Sequence, residues 1–352
     1  MNVEMLRNGT WGRSRSFRDR VRAIAGLIGT PASDHHGTAI RLVLCLLCAV
    51  SVWGAPSEPL NSRKPSGETE LRYWLQNMVA YHRFTTEEVV AATGLTESEV
   101  SSALERLGIS AGKRPARRAG DPLVVLPYPG GRHPRIGFLD GAVRPQRETK
   151  VSVFTPWDPD SYLVLDVPEA IWSNLGLTYL AHTHIDTVWT KRGITLAPLE
   201  WSRLSNGSFS VERTLPNGIR FAAKVEPRVD SVRMELQLQN GTDQTLTDLR
   251  VQNCVMLKGA PEFNQLSDEN KVLHNPYVAC RSPDGRHWVI TAWAPCDRPW
   301  ANAPVPCLHS DPKFPDCPPG ASRTLRGWVS FYEGDDINGE FRRIDATGWM
   351  NE

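Results

Sequence analysis

The chain has 352 residues, with 40 lysines and arginines against 39 acidic residues, and its formal net charge is +1. This balance provides no electrostatic basis for binding nucleic acid, because phosphate binding requires a strongly basic surface. The length is sufficient for one large domain or two ordinary ones with a buried core.

Residues 42–53, LVLCLLCAVSVW, form an almost purely apolar segment that precedes Gly54-Ala55-Pro56. A helix needs about 20 apolar residues to cross a bilayer, so this segment is too short to span one. Its length and the small residues after it are typical of a secretory signal peptide. We predict a leader and signal peptide over residues 1–54, cleavage after Gly54, and a secreted or periplasmic protein without a stable membrane span. A buried core helix is the alternative interpretation.

Residues 55–69 are rich in Pro, Ser, Gly and charge, which predicts a linker. Residues 70–109 have helical periodicity, and two capping boxes follow within them. Thr85 with Glu88 and Thr96 with Glu99 would each satisfy backbone amides at a helix start. The predicted helices cover residues 70–82, 86–92 and 97–107.

The segment FTTEEVVAATGLTESEVSSALERLGI resembles the helix-turn-helix of winged-helix DNA-binding domains. In that family the third helix enters the major groove. Here that helix carries Glu97, Glu99 and Glu105 against Arg106, and phosphate repels such a surface. We therefore expect residues 70–109 to be a structural unit or to dock a protein partner, and we expect no nucleic acid partner.

Residues 110–121, SAGKRPARRAGD, form a second, basic linker. From Pro122 onward the helical period is replaced by short apolar or alternating runs, separated by Gly, Pro, Asn and Asp. Such runs without intervening helices predict a mainly β fold. We expect a large antiparallel two-sheet sandwich over residues 122–347, preceded by a small N-terminal three-helix unit.

The motif HTHID at residues 182–186 ends an apolar run that begins near Leu177. Alternate residues of a strand share a face, so His182, His184 and Asp186 would project together. Two imidazoles and a carboxylate can hold a divalent metal, and they can also transfer protons or contact a ligand directly. A polar sheet face with neither role is a third interpretation, and all three stay open.

Five cysteines lie beyond the predicted signal peptide, and an oxidising compartment favours their pairing. A disulfide between Cys307 and Cys317 would close a small loop, and Cys280 with Cys296 is then the natural second pair. Cys254 would remain a buried thiol, because the surrounding VQNCVML is typical of a core strand. In a reducing cell, Cys307 and His309 are candidate zinc ligands instead.

Several other side chains are candidates for binding a substrate. Indole faces stack on the C–H surfaces of sugars, although core packing is the alternative role. Arginine and histidine in the loop after Pro127 are candidate ligands for anions or hydroxyl groups, and a solvated turn is the alternative. The candidates are Trp189, Trp293, Trp300, Arg132, His133 and Arg135. Glu169 is a further acid candidate.

The sequences VDSVRMELQLQNGTDQTLTDLRVQNCVML and LAHTHIDTVW resemble the galactose mutarotase-like β-supersandwich. Sugar epimerases and domains of polysaccharide lyases and glycoside hydrolases share this fold. Together with the predicted signal peptide, the resemblance implies an exported carbohydrate-active protein that binds or processes a glycan on a concave sheet face, with a histidine as base. In mutarotases the catalytic histidine follows an Asn-containing turn, whereas here His182 and His184 precede Asn240. A non-catalytic binding or scaffold protein and a metal-dependent hydrolase are the alternatives.

Overall fold

The computed structural model describes residues 62–132, 147–182 and 185–351. The predicted leader, signal peptide and first part of the 55–69 linker lie outside these residues. Two antiparallel sheets and four α-helices make up the described part, so the predicted mainly β sandwich with a small N-terminal helical unit is confirmed.

Three helices precede the first strand, and we call residues 68–107 the helical unit. They are α1 (Glu68–Leu75), which continues as a π-helical turn (Gln76–Tyr81), α2 (Thr86–Thr93) and α3 (Glu97–Leu107). Both predicted capping boxes are present. The Glu88 amide donates to Thr85 Oγ1 while the Glu88 carboxylate accepts from the Thr85 amide, and Thr96 and Glu99 repeat the arrangement. These boxes fix where α2 and α3 begin.

Fifteen strands form two sheets among the described residues. The seven-stranded sheet has the order β1-β2-β3-β9-β14-β13, with β4 paired to β3, and the eight-stranded sheet has the order β10-β11-β12-β15-β8-β7-β6-β5. The strands are β1 Val125–Pro127, β2 Lys150–Phe154, β3 Tyr162–Ser173, β4 Gly176–Leu180, β5 Ser202–Arg203, β6 Phe209–Thr214, β7 Arg220–Pro227, β8 Ser231–Gln239, β9 Val251–Met256, β10 Lys271–His274, β11 Tyr277–Arg281, β12 His287–Ala294, β13 Cys296–Ala301, β14 Cys307–Pro312 and β15 Ser322–Glu333.

The sandwich interior is filled by alternate residues of both sheets. Val153, Leu165 and Val255 from the seven-stranded sheet belong to the same apolar cluster as Leu236 and Val329 from the eight-stranded sheet. Because side chains alternate along a strand, the residues next to these in sequence face away from the interior. This alternation gives the seven-stranded sheet an outer face, on which the candidate site lies.

The helical unit packs on that outer face. Trp74 and Leu75 of α1 share an apolar cluster with Val164, Met256 and other outer-face residues of β2, β3, β9 and β14. Buried hydrogen bonds tie the two parts together as well. The Asn77 amide donates to the Pro127 carbonyl oxygen at 2.9 Å, and His82 Nε2 lies 2.7 Å from Ser152 Oγ. The predictions that this segment docks a protein partner and binds no nucleic acid stay predictions.

One helix was not predicted from the sequence. Helix α4 (Ile337–Asp345) follows β15 and packs its apolar side against the outer face of the eight-stranded sheet. Its apolar residues Ile337, Phe341 and Ile344 have helical spacing. Asp336 caps the helix by accepting from the Gly339 amide at 2.8 Å. The segment is too short for its periodicity to stand out after a long series of strands.

Gly131 is a position where the loop after β1 approaches the helical unit closely. Its φ is +79°, and an added Cβ would overlap the Glu88 carbonyl oxygen and lie 2.9 Å from Ala92 Cβ. We expect Gly131→Ala to lower the free energy of unfolding by at least about 2 kcal/mol, because it adds backbone strain to a clash with main-chain atoms. Urea denaturation measures the loss.

Gly285 provides the matched control, since its φ is +77° and nothing lies within 4 Å of its added Cβ. Gly285→Ala should therefore show only the conformational part, about 1 kcal/mol. Equal losses in the two variants would contradict a tight contact between the loop and α2.

Candidate functional site

A row of polar side chains crosses the outer face of the seven-stranded sheet. Lys150 on β2 is directly opposite Asp166 on β3, and Asp166 is directly opposite Cys254 on β9. Directly paired residues of neighbouring strands lie on the same face. His309 on β14 extends the row, and all four side chains are buried. Charged and polar groups so well shielded from water require partners, and their contacts define the site.

The first contact in the row is an ion pair. The Lys150 ammonium donates to the Asp166 carboxylate, and the two side chains are only 1% and 3% exposed. Removal of both charges from water costs free energy that only a close, well-aligned partner can offset. Loss of either side chain would therefore leave the other charge buried without compensation.

A carboxylate–imidazole pair lies beside this row. Strand β3 changes register between Asp166 and Ala170, and Glu169 lies in this irregular segment. Its Oε1 lies 2.8 Å from His182 Nε2. The Gln252 amide donates to Glu169 Oε2 at 2.9 Å. With Glu169 ionised, His182 donates from Nε2 and keeps its acceptor lone pair on Nδ1. Glu169, which Gln252 holds in place, thus orients the His182 ring.

Two thiols and an imidazole form the third group. The Cys254 Sγ, the Cys307 Sγ and a ring nitrogen of His309 all lie within 4.8 Å of one another, and all three residues are buried. The Cys307 Sγ is 3.1 Å from His309 Nε2, and His309 Nδ1 is 2.9 Å from the Asn253 carbonyl oxygen. Burial lowers the pKa of His309, but Cys254 and Asp311 outweigh burial and raise it to about 8.

Residues of the edge strand β13 separate this third group from solvent. The Trp300 indole stacks on the His309 ring, with centroids 3.9 Å apart, and its Nε1 donates to Asp311 Oδ2 at 2.6 Å. Arg298 also donates to Asp311, at 3.2 Å, and its side chain is half exposed. Trp300 therefore supports His309, and Arg298 marks the solvent-facing border of the site.

The predicted grouping of His182 with Asp186 is not formed in the structure. Strand β4 ends at Leu180, so the alternation that would align these residues does not continue to them. His182 is buried against Glu169, whereas Asp186 is exposed and accepts from Thr190 Oγ1 at 3.1 Å. His184 lies outside the described residues. Of the described residues of this motif, only His182 lies beside the polar row.

The predicted binding residues are distributed over several environments. Arg132 is held by the Glu88 carboxylate and by main-chain oxygens, so it fastens its loop to α2 instead of facing an open site. His133 and Arg135 lie outside the described residues. Trp189 donates to the Thr178 carbonyl oxygen at 2.7 Å and is buried. Trp293 is buried in the sandwich core, and of the candidates that the structure describes only Trp300 borders the polar groups.

None of the five cysteines in the described part of the chain forms a disulfide, so neither expected pairing is present. Cys307 instead faces His309, and Cys317 Sγ contacts the Ala321 carbonyl oxygen. Cys280 is buried on β11 beside the Phe263 carbonyl oxygen, and burial raises the pKa of its thiol to about 11. Cys296 contacts the Ser310 hydroxyl group. The four thiols therefore occupy separate environments.

Sequence reasoning missed Lys150 and Asp166 and assigned Cys254 to simple core packing. A usable signal was present, because Asp166 and Glu169 interrupt the apolar strand sequence YLVLDVPEAIW. Charged residues are almost never fully buried unless they are paired. A charged residue within a strand that is buried throughout therefore indicates a partner on a neighbouring strand.

No protein-family profile and no curated protein matches the chain. Solved structures do match it. A Synechocystis sp. PCC 6803 protein is 12% identical over 53% of this chain and 88% of its own, with a TM-score of 0.31. A protein described as an aldose 1-epimerase from Escherichia coli K12 is 12% identical over 55% of this chain and 90% of its own, with a TM-score of 0.32. A mutant heparan sulfate lyase from Pedobacter heparinus is 11% identical over 53% of this chain and 36% of its own, with a TM-score of 0.30.

These similarities concern the fold alone. The chain is a two-sheet sandwich with an added helical unit. Among the described residues, no helix is long and apolar enough to cross a bilayer.

Proposed function

We propose that the protein binds a carbohydrate at the polar groups on the outer face of the seven-stranded sheet and transfers a proton at a sugar hemiacetal or carbon. His182 is the base in this proposal, and Glu169 positions it. The observation that carries the proposal is the 2.8 Å contact between His182 Nε2 and Glu169 Oε1 in a buried environment. A carboxylate that orients a neutral imidazole is a recurring arrangement for general base catalysis.

The neighbouring side chains support a polyhydroxylated ligand. Gln252, which is only partly buried, lies on the same face beside Glu169 and supplies an amide that can both donate and accept. Hydroxyl groups of a sugar both donate and accept, so a mixed set of donors and acceptors suits them. Non-catalytic carbohydrate binding is the alternative, because the same groups would hold a sugar without converting it.

The test combines binding and turnover. Purified protein is screened against a panel of free aldoses and oligosaccharides, with anomer exchange followed by saturation-transfer NMR and products identified by mass spectrometry. We expect His182→Gln to lower kcat about 10²–10⁴-fold, the usual contribution of a general base, while sugar affinity changes only several-fold. Glu169→Gln should also lower kcat, by a smaller factor.

His274→Gln is the matched control, because His274 is exposed on β10 of the other sheet. It should leave kcat unchanged. Circular dichroism and thermal melting establish that each variant is folded. Folded His182→Gln with wild-type turnover would contradict the proposal, and a wild-type protein that binds sugars but converts none of them would leave the binding alternative.

We also infer that this activity operates outside the cytoplasm, after removal of residues 1–54. The apolar segment 42–53 with its small following residues supports this inference. N-terminal sequencing of the protein recovered from its native cells should begin at Ala55. An intact leader on the active protein would contradict export.

A further inference from the structure

The strands β9 and β14 place three metal-binding side chains on one face. Leu308 pairs with Val255, and Cys307 pairs with Met256. Cys254 is two residues from Met256, and His309 is two residues from Cys307, so all three side chains point to the outer face. Their ligand atoms lie within 4.8 Å of one another. This arrangement follows from backbone register and does not depend on the carbohydrate proposal.

The register favours a bridging metal over a disulfide. Cys254 and Cys307 are diagonal neighbours, because each is two residues from the position directly opposite the other. Diagonal neighbours in a sheet are about 7–8 Å apart, whereas the Cβ atoms of a disulfide are only about 3.5–4.5 Å apart. Because each sulfur extends beyond its Cβ atom, two cysteines joined through a zinc ion with Zn–S bonds of about 2.3 Å span a larger Cβ separation than a direct S–S bond does.

The imidazole is oriented as a ligand. His309 Nδ1 lies 2.9 Å from the Asn253 carbonyl oxygen, so the Nδ1 proton is donated to the main chain. Nε2 is then the ring nitrogen left to bind a metal, which would displace any proton it carries, and it faces the Cys307 sulfur at 3.1 Å. Stacking by Trp300 fixes the ring plane. Metal-binding histidines commonly have their second nitrogen bonded to a carbonyl oxygen in this way.

We propose that Cys254, Cys307 and His309 bind a zinc ion. Two thiolates and an imidazole are soft to intermediate donors, and this set favours Zn²⁺ over the hard cations Mg²⁺ and Ca²⁺. The carboxylates of Asp166 and Glu169 also lie within 4.8 Å of the Cys254 sulfur, so their negative charge favours a cation. Three protein ligands leave a fourth position for water or a carboxylate.

The experiment uses the full chain, purified with a reductant, incubated with Zn²⁺ and freed of excess metal. Mass spectrometry of the metal should give about one zinc per chain. Replacement of zinc by Co²⁺ should produce a thiolate-to-cobalt charge-transfer band and the visible bands of tetrahedral cobalt. Cys307→Ser and Cys254→Ser should each abolish both the bound zinc and the charge-transfer band contributed by the lost sulfur.

Cys280→Ser and Cys317→Ser are matched controls, because both thiols are buried outside this group. They should retain about one zinc per chain. If Cys307→Ser fails to fold, X-ray absorption of the wild-type zinc protein still decides, since it should give two sulfurs near 2.3 Å and a nitrogen near 2.0 Å. A wild-type protein that binds no zinc, a sulfur-free zinc environment, or a stable disulfide between Cys254 and Cys307 under reductant would each overturn the proposal.

Discussion

Replacement of Lys150 by methionine should lower the free energy of unfolding by about 3–5 kcal/mol, the usual cost of removing one member of a buried ion pair. Methionine retains the length and apolar stem of lysine, so little packing is lost. The Asp166 carboxylate, however, stays buried at 3% exposure without the ammonium that compensates its charge. Chemical denaturation followed by tryptophan fluorescence measures the change.

Lys224→Met is the matched control for this variant. Lys224 pairs with Glu226 at 3.2 Å, but its side chain is 44% exposed. Exposed ion pairs contribute at most about 1 kcal/mol, so the control should change little.

The double variant of Lys150→Met with Asp166→Asn measures the interaction free energy between the two charges. Since the asparagine carries no charge, the second substitution should recover part of the lost stability, with a coupling energy of about 1–3 kcal/mol. Additive losses in the double-mutant cycle would show that the two charges do not stabilise each other.

Stability should fall steeply as the protein is acidified from pH 6.5 toward pH 3, because of His82. This histidine is buried between the helical unit and the sheet, and burial lowers its pKa from 6.5 to about 3. Its backbone contact with Asn77 partly offsets the effect of burial, whereas the positive charges of Arg132 and Arg114 lower the pKa further. The folded protein therefore keeps His82 neutral at pH values where the unfolded chain protonates it.

The direction of the effect follows from proton linkage. Between pH 6.5 and 3 the unfolded state binds more protons, so the free energy of unfolding falls as the pH falls. The contribution of His82 is complete above about pH 6.5, is reduced by roughly 2 kcal/mol at pH 5, and is reduced by roughly 4 kcal/mol near pH 3. Urea denaturation at a series of pH values measures the slope.

His82→Gln removes the titrating group and should flatten this part of the stability profile, although it also lowers stability at pH 7. His274→Gln, at an exposed position, should leave the slope in place because His82 is still present. An unchanged slope in His82→Gln would show that other groups cause the acid sensitivity.

The helical unit was largely predictable, because its determinants are local. The hydroxyl and carboxylate of each capping box lie three residues apart, so the sequence alone places the starts of α2 and α3. The sandwich was predictable as a class from alternation and turns, as in β8, where Val232, Met234, Leu236 and Leu238 are buried. The pairing of β3 with β9 was not predictable, since about 80 residues separate the two strands.

The candidate site depends on that non-local pairing. Asp166 meets Cys254, and Cys307 meets Met256, only because β9 lies between β3 and β14. The motif HTHID was predicted to form a site because its residues are close together in the chain, yet β4 ends before it. Local spacing identifies groups within one strand, whereas most of this site is assembled across four strands.

The helical unit covers the same sheet face that holds the polar row, and this arrangement affects how the chain can be divided. Cys254 and Cys307 belong to the apolar cluster that contains Trp74 and Leu75. A fragment that starts at β1 would lose the apolar side chains of the helical unit that cover both thiols, and Met256 would become exposed to water. Fragments designed to retain the chemistry of this face therefore have to start upstream of Glu68, because the helices cover the site and are part of it.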